Sequence, residues 1–221
     1  MTTIQSGLRE DAMIGELTYL ASAAELRPLY NGPSALVRAK QIDRIDAHCR
    51  SFIAHSPLVM IGSSHPERGA DVSPRGDAPG FVQVLDEHHL AIPDRPGNNR
   101  LDTLENLLAN PAVGLFFLVP GVEETLRVNG TARLSRSQPL LDIMAVDGKL
   151  PKLAIVVTVS EAFLHCAKAL KRARLWADDY RIDRKQLPTL GRMIVEQARP
   201  VGLTAEEADA RIEADYWTNL Y

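Results

Sequence analysis

Hydrophobic positions along this chain follow two periods, and the switch between them outlines the fold. Between Ser34 and Pro57, Ile42, Ile45, Cys49, Phe52 and Ile53 recur at helical spacing and Pro57 ends the pattern, which predicts one amphipathic helix of about five turns. The period then drops towards two. PLVMIGSS reads as a buried strand, ADVSPRGDAPG is crowded with turn residues, and FVQVLD and HHLAIP are close enough to form a hairpin. NRLDTLENLLANP returns to helical spacing, with Leu101, Leu104, Leu107 and Leu108 on one side, Asp102 as the expected N-cap and Glu105 as its capping-box partner. AVGLFFLVP is a fully apolar strand, ETLRVNGTARLS a long alternating one, SQPLLDIMAV a short helix and KLAIVVTVS a last buried strand. SEAFLHCAKALKRARLW then predicts a helix burying Phe163, Cys166, Leu170 and Ala173. Beyond it the chain is polar and helical, with a second capping box at Thr204 and Glu207.

About six closely spaced strands favour antiparallel pairing, so the expected architecture is mainly β with flanking helices (α+β), closed into a small Greek-key-like barrel. No repeat or linker interrupts it, which points to a single domain over 1–221. Within it lie an N-terminal extension (1–34) ending at the turn-rich LYNGPS, a barrel with flanking helices (35–180) and a C-terminal helical segment (181–221).

Composition removes several function classes. A net charge of -3 argues against nucleic-acid binding by bulk electrostatics, though it permits a local basic pocket. Two cysteines, Cys49 and Cys166, make no disulfide framework and suit a reducing cytoplasm. MTTIQSGLREDAMIGEL lacks the basic and apolar regions of a secretion signal, and no apolar run is long enough to span a membrane.

The polar chemistry concentrates in a few stretches. In PDRPGNNRLDTLEN, Asn98, Asn99 and Arg100 arrive just ahead of a helix start, where free N–H groups and the helix dipole favour a phosphate. The alternative is a surface pair between Arg100 and Asp102 or Glu105. Ser73, Arg75 and Asp77 would share one face of a strand, as would Glu123, Thr125 and Arg127, and each set is either a ligand surface or a solvated face. Asp86-Glu87-His88-His89 makes a poor chelate because neighbouring strand residues point opposite ways, so no metal is expected. Cys166 on the apolar stripe reads as core. His165, Lys168 and Arg172 on the other side form a basic edge, and Trp176 either stacks on a planar ligand or closes the helix. These residues by themselves reach only an anionic ligand held in a small barrel.

Taken together, DVSPRGDAPGFV, IPDRPGNNRLDTLENLLANPAVGLFFLVPGVEETLRVNGTARLS and FLHCAKALKRARLW resemble the pyridoxamine 5'-phosphate oxidase-like flavoproteins, in particular a bacterial branch of FMN-dependent enzymes of unknown substrate. The resemblance spans roughly residues 35 to 180. It implies a split β-barrel homodimer with FMN in two clefts between the subunits. Asn99 and Arg100 match the family's phosphate position. Ser73, Pro74, Arg75 and Gly76 match the strand against the flavin and ribityl chain. Thr125 falls where pyridoxamine phosphate oxidases place a glutamine near the flavin, with Glu124 and Arg127 beside it. His165, Lys168 and Trp176 lie in a segment expected to reach the other subunit's flavin. Two departures matter. Leu101 or Asp102 stands where a lysine joins arginine on the phosphate, so Arg95 or Arg75 would have to serve. YWTNLY stands where those oxidases carry an arginine-bearing substrate segment, so vitamin B6 oxidation is not implied. The resemblance therefore implies an FMN-dependent oxidoreductase acting on a small molecule. The alternatives are a non-enzymatic flavin, haem or deazaflavin binder of the same fold, and a barrel used only as an interaction module.

Overall fold

The computed structural model describes residues 17–221; the reading of the N-terminal stretch as free of a secretion signal rests on residues outside these. The chain divides into two compact units, with the boundary between Ala39 and Lys40. The described part of the first holds α1 (Ala23–Leu26), a 3-10 turn (Arg27–Leu29) and α2 (Ala35–Ala39), with every side chain exposed. Ser22 caps α1 by accepting from the Glu25 N–H at 3.3 Å.

The five-turn helix expected over 34–57 is not one element. A second helix, α3 (Ala47–His55), starts afresh because the Asp46 carboxylate accepts the Cys49 N–H at 2.8 Å. Ile42, in the gap between the helices, exchanges two backbone hydrogen bonds with Ala162. Cys49 and Ile53 are buried as the spacing required.

The larger unit is built on seven strands: β1 (Leu58–His65), β2 (Gly69–Gly76), β3 (Gln83–Val84), β4 (His89–Pro93), β5 (Ala112–Leu118), β6 (Thr125–Ser135) and β7 (Ala154–His165). They form one antiparallel sheet in the order β2-β1-β5-β6-β7-β4-β3. The extra strand is β2, in the stretch that the sequence marked as turn-rich. Its Pro74 is tolerated because β2 is an edge and owes no N–H to a further neighbour. The ladder is open, since β2 and β3 end it without pairing to each other; the expected closed barrel is split. Between the strands lie α4 (Asp102–Ala109) and α5 (Gln138–Asp142). After them come α6 (Lys168–Ala173), α7 (Leu190–Ala198) and α8 (Ala205–Thr218), the last started by the expected Thr204–Glu207 capping box. No helix among the described residues is long and apolar enough to cross a membrane.

The core lies on one face of the sheet, where Ile53, Ile61, Leu90, Ile92, Phe117, Leu126 and Val157 are almost wholly enclosed. A smaller cluster of Ala91, Leu141, Met144 and Ala154 seals the other face under α5. Along β7 the core residues are Ile155, Val157 and Val159, and then Ala162. The parity changes because Asn129 pairs with Glu161 while Gly130 pairs with Val159, leaving Ser160 as the extra residue of a bulge. This corrects the helix expected over 160–176. Of the expected stripe, Phe163 belongs to β7, which runs on past the bulge to His165, Cys166 follows the strand, and only Lys168–Ala173 is helical, with Ala173 exposed. Cys166 is exposed, not core.

The α4 start also differs from expectation. Leu101, in the left-handed region at φ 61°, occupies the N-cap position and offers no side-chain cap. Asp102 lies inside the helix, and Glu105 pairs with Arg68 at 2.8 Å instead of closing a capping box. The helix buries Thr103, Leu104, Asn106 and Leu107, leaving Leu101 and Leu108 exposed, because its docking face is partly polar. Asn106 donates to Ser63 of β1 at 3.0 Å, and Thr103 to Asp71 of β2 at 3.3 Å.

The bulge dictates one residue identity. A Cβ on Gly130 would lie 2.0 Å from the Thr158 carbonyl oxygen, a backbone atom that cannot step aside without opening the β6–β7 ladder. Gly130→Ala should cost about 1–3 kcal/mol in urea unfolding, as overpacked sites do. Gly97→Ala, with open space around it, should stay within about 0.5 kcal/mol. Equal costs for both would contradict the close approach at the bulge.

Candidate functional site

β2 and β4 lie near opposite ends of the strand order, yet residues of β2 and of the segment after β4 line the same cleft, of about 540 Å³. The sheet therefore curls until β2 approaches the segment after β4, and the cleft is the gap between them. Ser73, Pro74, Arg75, Gly76, Asn99 and Arg100 all line it. On β2, Asp71, Ser73 and Arg75 share the half-buried side and alternate with exposed Val72, Pro74 and Gly76, as the strand period requires. Arg75 donates from Nη1 to the Ser73 hydroxyl at 2.6 Å and to the Pro74 carbonyl at 3.0 Å.

The opposite wall is the loop 94–101. Asn99 and Leu101 both have left-handed backbones, at φ 57° and 61°. Asn98 Oδ1 holds the Arg100 N–H at 3.1 Å. The surface pair that the sequence left open is present: Arg100 Nε donates to Asp102 at 2.7 Å, with the arginine side chain 74% exposed. An exposed pair of this kind contributes little and is easily exchanged. Asp102, Thr103 and Leu104 bring the uncapped first turn of α4 to the same cleft.

Among the lining residues, Asp71, Asp94, Leu150, Pro151 and Lys152 carried no distinct sequence signal. Asp77 does not line the cleft but forms a buried ion pair with Arg95, which does; the distance is 2.7 Å and the side chains are 2% and 13% exposed. The Tyr221 hydroxyl donates to the other Asp77 oxygen at 2.7 Å. Burial opposes charge on Asp77, but hydrogen bonds from Tyr221, the Ala78 N–H and Arg95 outweigh it and lower its pKa. Burial raises the pKa of Asp94, against the pull of Arg75 and Lys152. Four cations (Arg75, Arg95, Arg100, Lys152) and three carboxylates (Asp71, Asp94, Asp102) line the cleft, with Asp77 paired to Arg95 behind it.

Thr125, Arg127, His165, Lys168 and Trp176 do not line this cleft. The bulge turns Phe163 and His165 to the outer face beside Arg127, which pairs with Glu161 and stands over the Phe163 ring at 5.1 Å. Arg127 Nε is buried without a hydrogen-bond partner among the described residues. The His165 ring meets Phe163 edge-on at 4.8 Å, and Lys40 covers Phe163 at 4.3 Å. Thr125, directly across the ladder from His165, is buried. Lys168 opens α6. Trp176 donates to the Val122 carbonyl at 2.8 Å and lines a second hollow of about 410 Å³ with Lys171, Arg174 and Glu123. Glu123 is engaged by Lys171 at 2.8 Å, apart from the strand face on which it was expected. His89 and the His88 N–H both turn onto Asp86, a local arrangement. Among the described residues no three His, Cys, Asp or Glu side chains converge as metal ligands.

The family model for pyridoxamine 5'-phosphate oxidase matches residues 45–166. No curated protein matches the chain. Among solved structures, HupZ from Group A Streptococcus is similar at 14% identity, covering 54% of this chain and 93% of HupZ with a TM-score of 0.45. An FMN-binding protein from Syntrophomonas wolfei is 13% identical over 72% of this chain and 98% of its own, with a TM-score of 0.44. An F420 reductase is 18% identical over 51% of this chain and 94% of its own, at 0.38.

The His165 environment predicts a pH dependence. Burial first, then Arg127 and Lys40, lowers its folded pKa below the ordinary value. The unfolded chain therefore takes up the proton first. The stability from keeping this ring neutral is complete above about pH 6.5 and is lost as pH falls through that value towards the folded pKa. Urea unfolding between pH 7.5 and 5.5 should show a smaller loss of stability for His165→Gln than for the parent. Equal slopes would mean that His165 titrates as an ordinary surface histidine.

Proposed function

The chain belongs to the pyridoxamine 5'-phosphate oxidase family, and from that premise we propose that it binds FMN in the cleft between β2 and the loop 94–101 and works as an FMN-dependent oxidoreductase on a small molecule. The observation that carries this reading is the convergence of Arg75, Arg95, Arg100 and Lys152 on a cleft whose other walls include Pro74, Phe81, Leu150 and Pro151. A phosphate tail needs the cations and a planar ring needs the apolar walls. The cleft volume of about 540 Å³ falls within the roughly 300–1,000 Å³ of ligand pockets. The residues present therefore fit the cofactor.

In this reading Arg100 and Asn99 hold the phosphate at the start of α4, where unpaired N–H groups and the helix dipole add attraction. Ser73, Pro74, Arg75 and Gly76 lie along the ring and ribityl chain. FMN supplies the hydride or electron transfer once bound, and the chain supplies orientation, charge and water exclusion. His165, Lys168 and Trp176, none of which lines the cleft of its own chain, reach the cleft of a second copy; Thr125 is buried and takes no part. The reading includes a homodimer with two shared sites, and its proposed location is the cytoplasm.

The test is the visible spectrum of the purified protein with added FMN after gel filtration. A retained and shifted flavin spectrum supports the reading. A protein that stays colourless with FMN, or that takes up haem or a deazaflavin in its place, overturns it. Arg100→Ala should cost a charge-assisted hydrogen bond of about 1.5–3 kcal/mol, roughly 10- to 150-fold in FMN affinity. Unchanged affinity would mean that Arg100 serves only its surface pair with Asp102.

A further inference from the structure

Arg95 and Asp77 form the most buried ion pair among the described residues. An isolated buried pair brings little net stability, because desolvation offsets the attraction. Its geometry suggests another use. The Asp77 carboxylate is held by three donors: Oδ2 takes Arg95 Nε, while Oδ1 takes the Tyr221 hydroxyl and the Ala78 N–H, each at 2.7 Å. Arg95 is thereby fixed through Nε alone, and its two terminal nitrogens have no partner among the described residues. The Tyr221 ring lies 5.6 Å from the guanidinium carbon, which limits the arginine from a second side. Lys149 donates to the Tyr221 main-chain oxygen at 3.1 Å, tying that residue to the turn just before Leu150–Lys152, another part of the cleft wall.

We infer that Asp77 and Tyr221 are positioning residues for anion binding, orienting Arg95 as the second cation of the phosphate site so that docking of Tyr221 and ligand binding are coupled. The inference rests on the FMN reading and supplies the basic residue that Leu101 and Asp102 cannot. Without the Tyr221 hydroxyl, Asp77 loses one of three donors, and the carboxylate that fixes Arg95 at the cleft wall is held less firmly. Coupling is reciprocal: a ligand that needs Arg95 in place must fasten Tyr221 by the same factor.

The experiment measures FMN and riboflavin affinity by flavin fluorescence quenching for the parent and Tyr221→Phe, with Asp77→Asn added if it folds and thermal unfolding as a check on each. Riboflavin has the same ring and no phosphate. Tyr221→Phe should weaken FMN about fivefold or more and leave riboflavin unchanged. Equal FMN affinity in parent and variant would overturn the inference while leaving the FMN reading intact. Parallel losses for both ligands would overturn it too, since they would mark a packing role. A parent that binds neither flavin would sink the FMN reading and this inference with it.

Discussion

The β6–β7 ladder and its single bulge are the constraint on which the arrangement depends. These two strands occupy the middle of the sheet, with β5, β1 and β2 on one side and β4 and β3 on the other. Inserting Ser160 opposite Asn129 and Gly130 reverses which side chains face the core. The core continues through Ala162, while Glu161, Phe163 and His165 move outside to meet Arg127. A bulge also increases local twist, in keeping with the curl that brings β2 and the end of β4 to one cleft.

The cleft cations differ in how firmly they are held. Arg100 rests on an exposed carboxylate two residues away, a contact that salt or a phosphate displaces at little cost. Arg75 is held by a hydroxyl and a carbonyl of its own strand, neither of which neutralises it. Arg95 is buried against Asp77. A ligand would meet one cation that adjusts to it and others already in position, and ordering fewer side chains on binding costs less entropy.

Much of the fold was legible because periodicity and turn chemistry are local. The β3–β4 hairpin, the strands β1, β5 and β6, and the capping box at Thr204 all appear where their residues put them. The failures have identifiable causes. Asp46 stops a helix that apolar spacing would continue, since a short side chain competing for backbone N–H groups leaves no trace in hydrophobic pattern. The helix read from Phe163, Cys166, Leu170 and Ala173 begins only at Lys168, because β7 continues past its bulge to His165. In the candidate site, the two walls could be named from PDRPGNNR and SPRG, and the structure brings both to one cleft. The clasp on Arg95 could not, because Tyr221 is 144 residues from the aspartate it touches.

Helix α4 begins without a side-chain cap, after a leucine whose left-handed backbone costs roughly 1–2 kcal/mol. It is pinned further along by Asn106 and Thr103 to β1 and β2, so it cannot shift to find another start. Its first-turn residues border the cleft with no side chain capping their amides. An anion bound there would complete the helix in the way a capping serine does elsewhere, becoming an element of secondary structure supplied from solution. Local opening of that turn would then depend on ligand concentration, and amide hydrogen exchange there would slow before the rest of the fold registered any change.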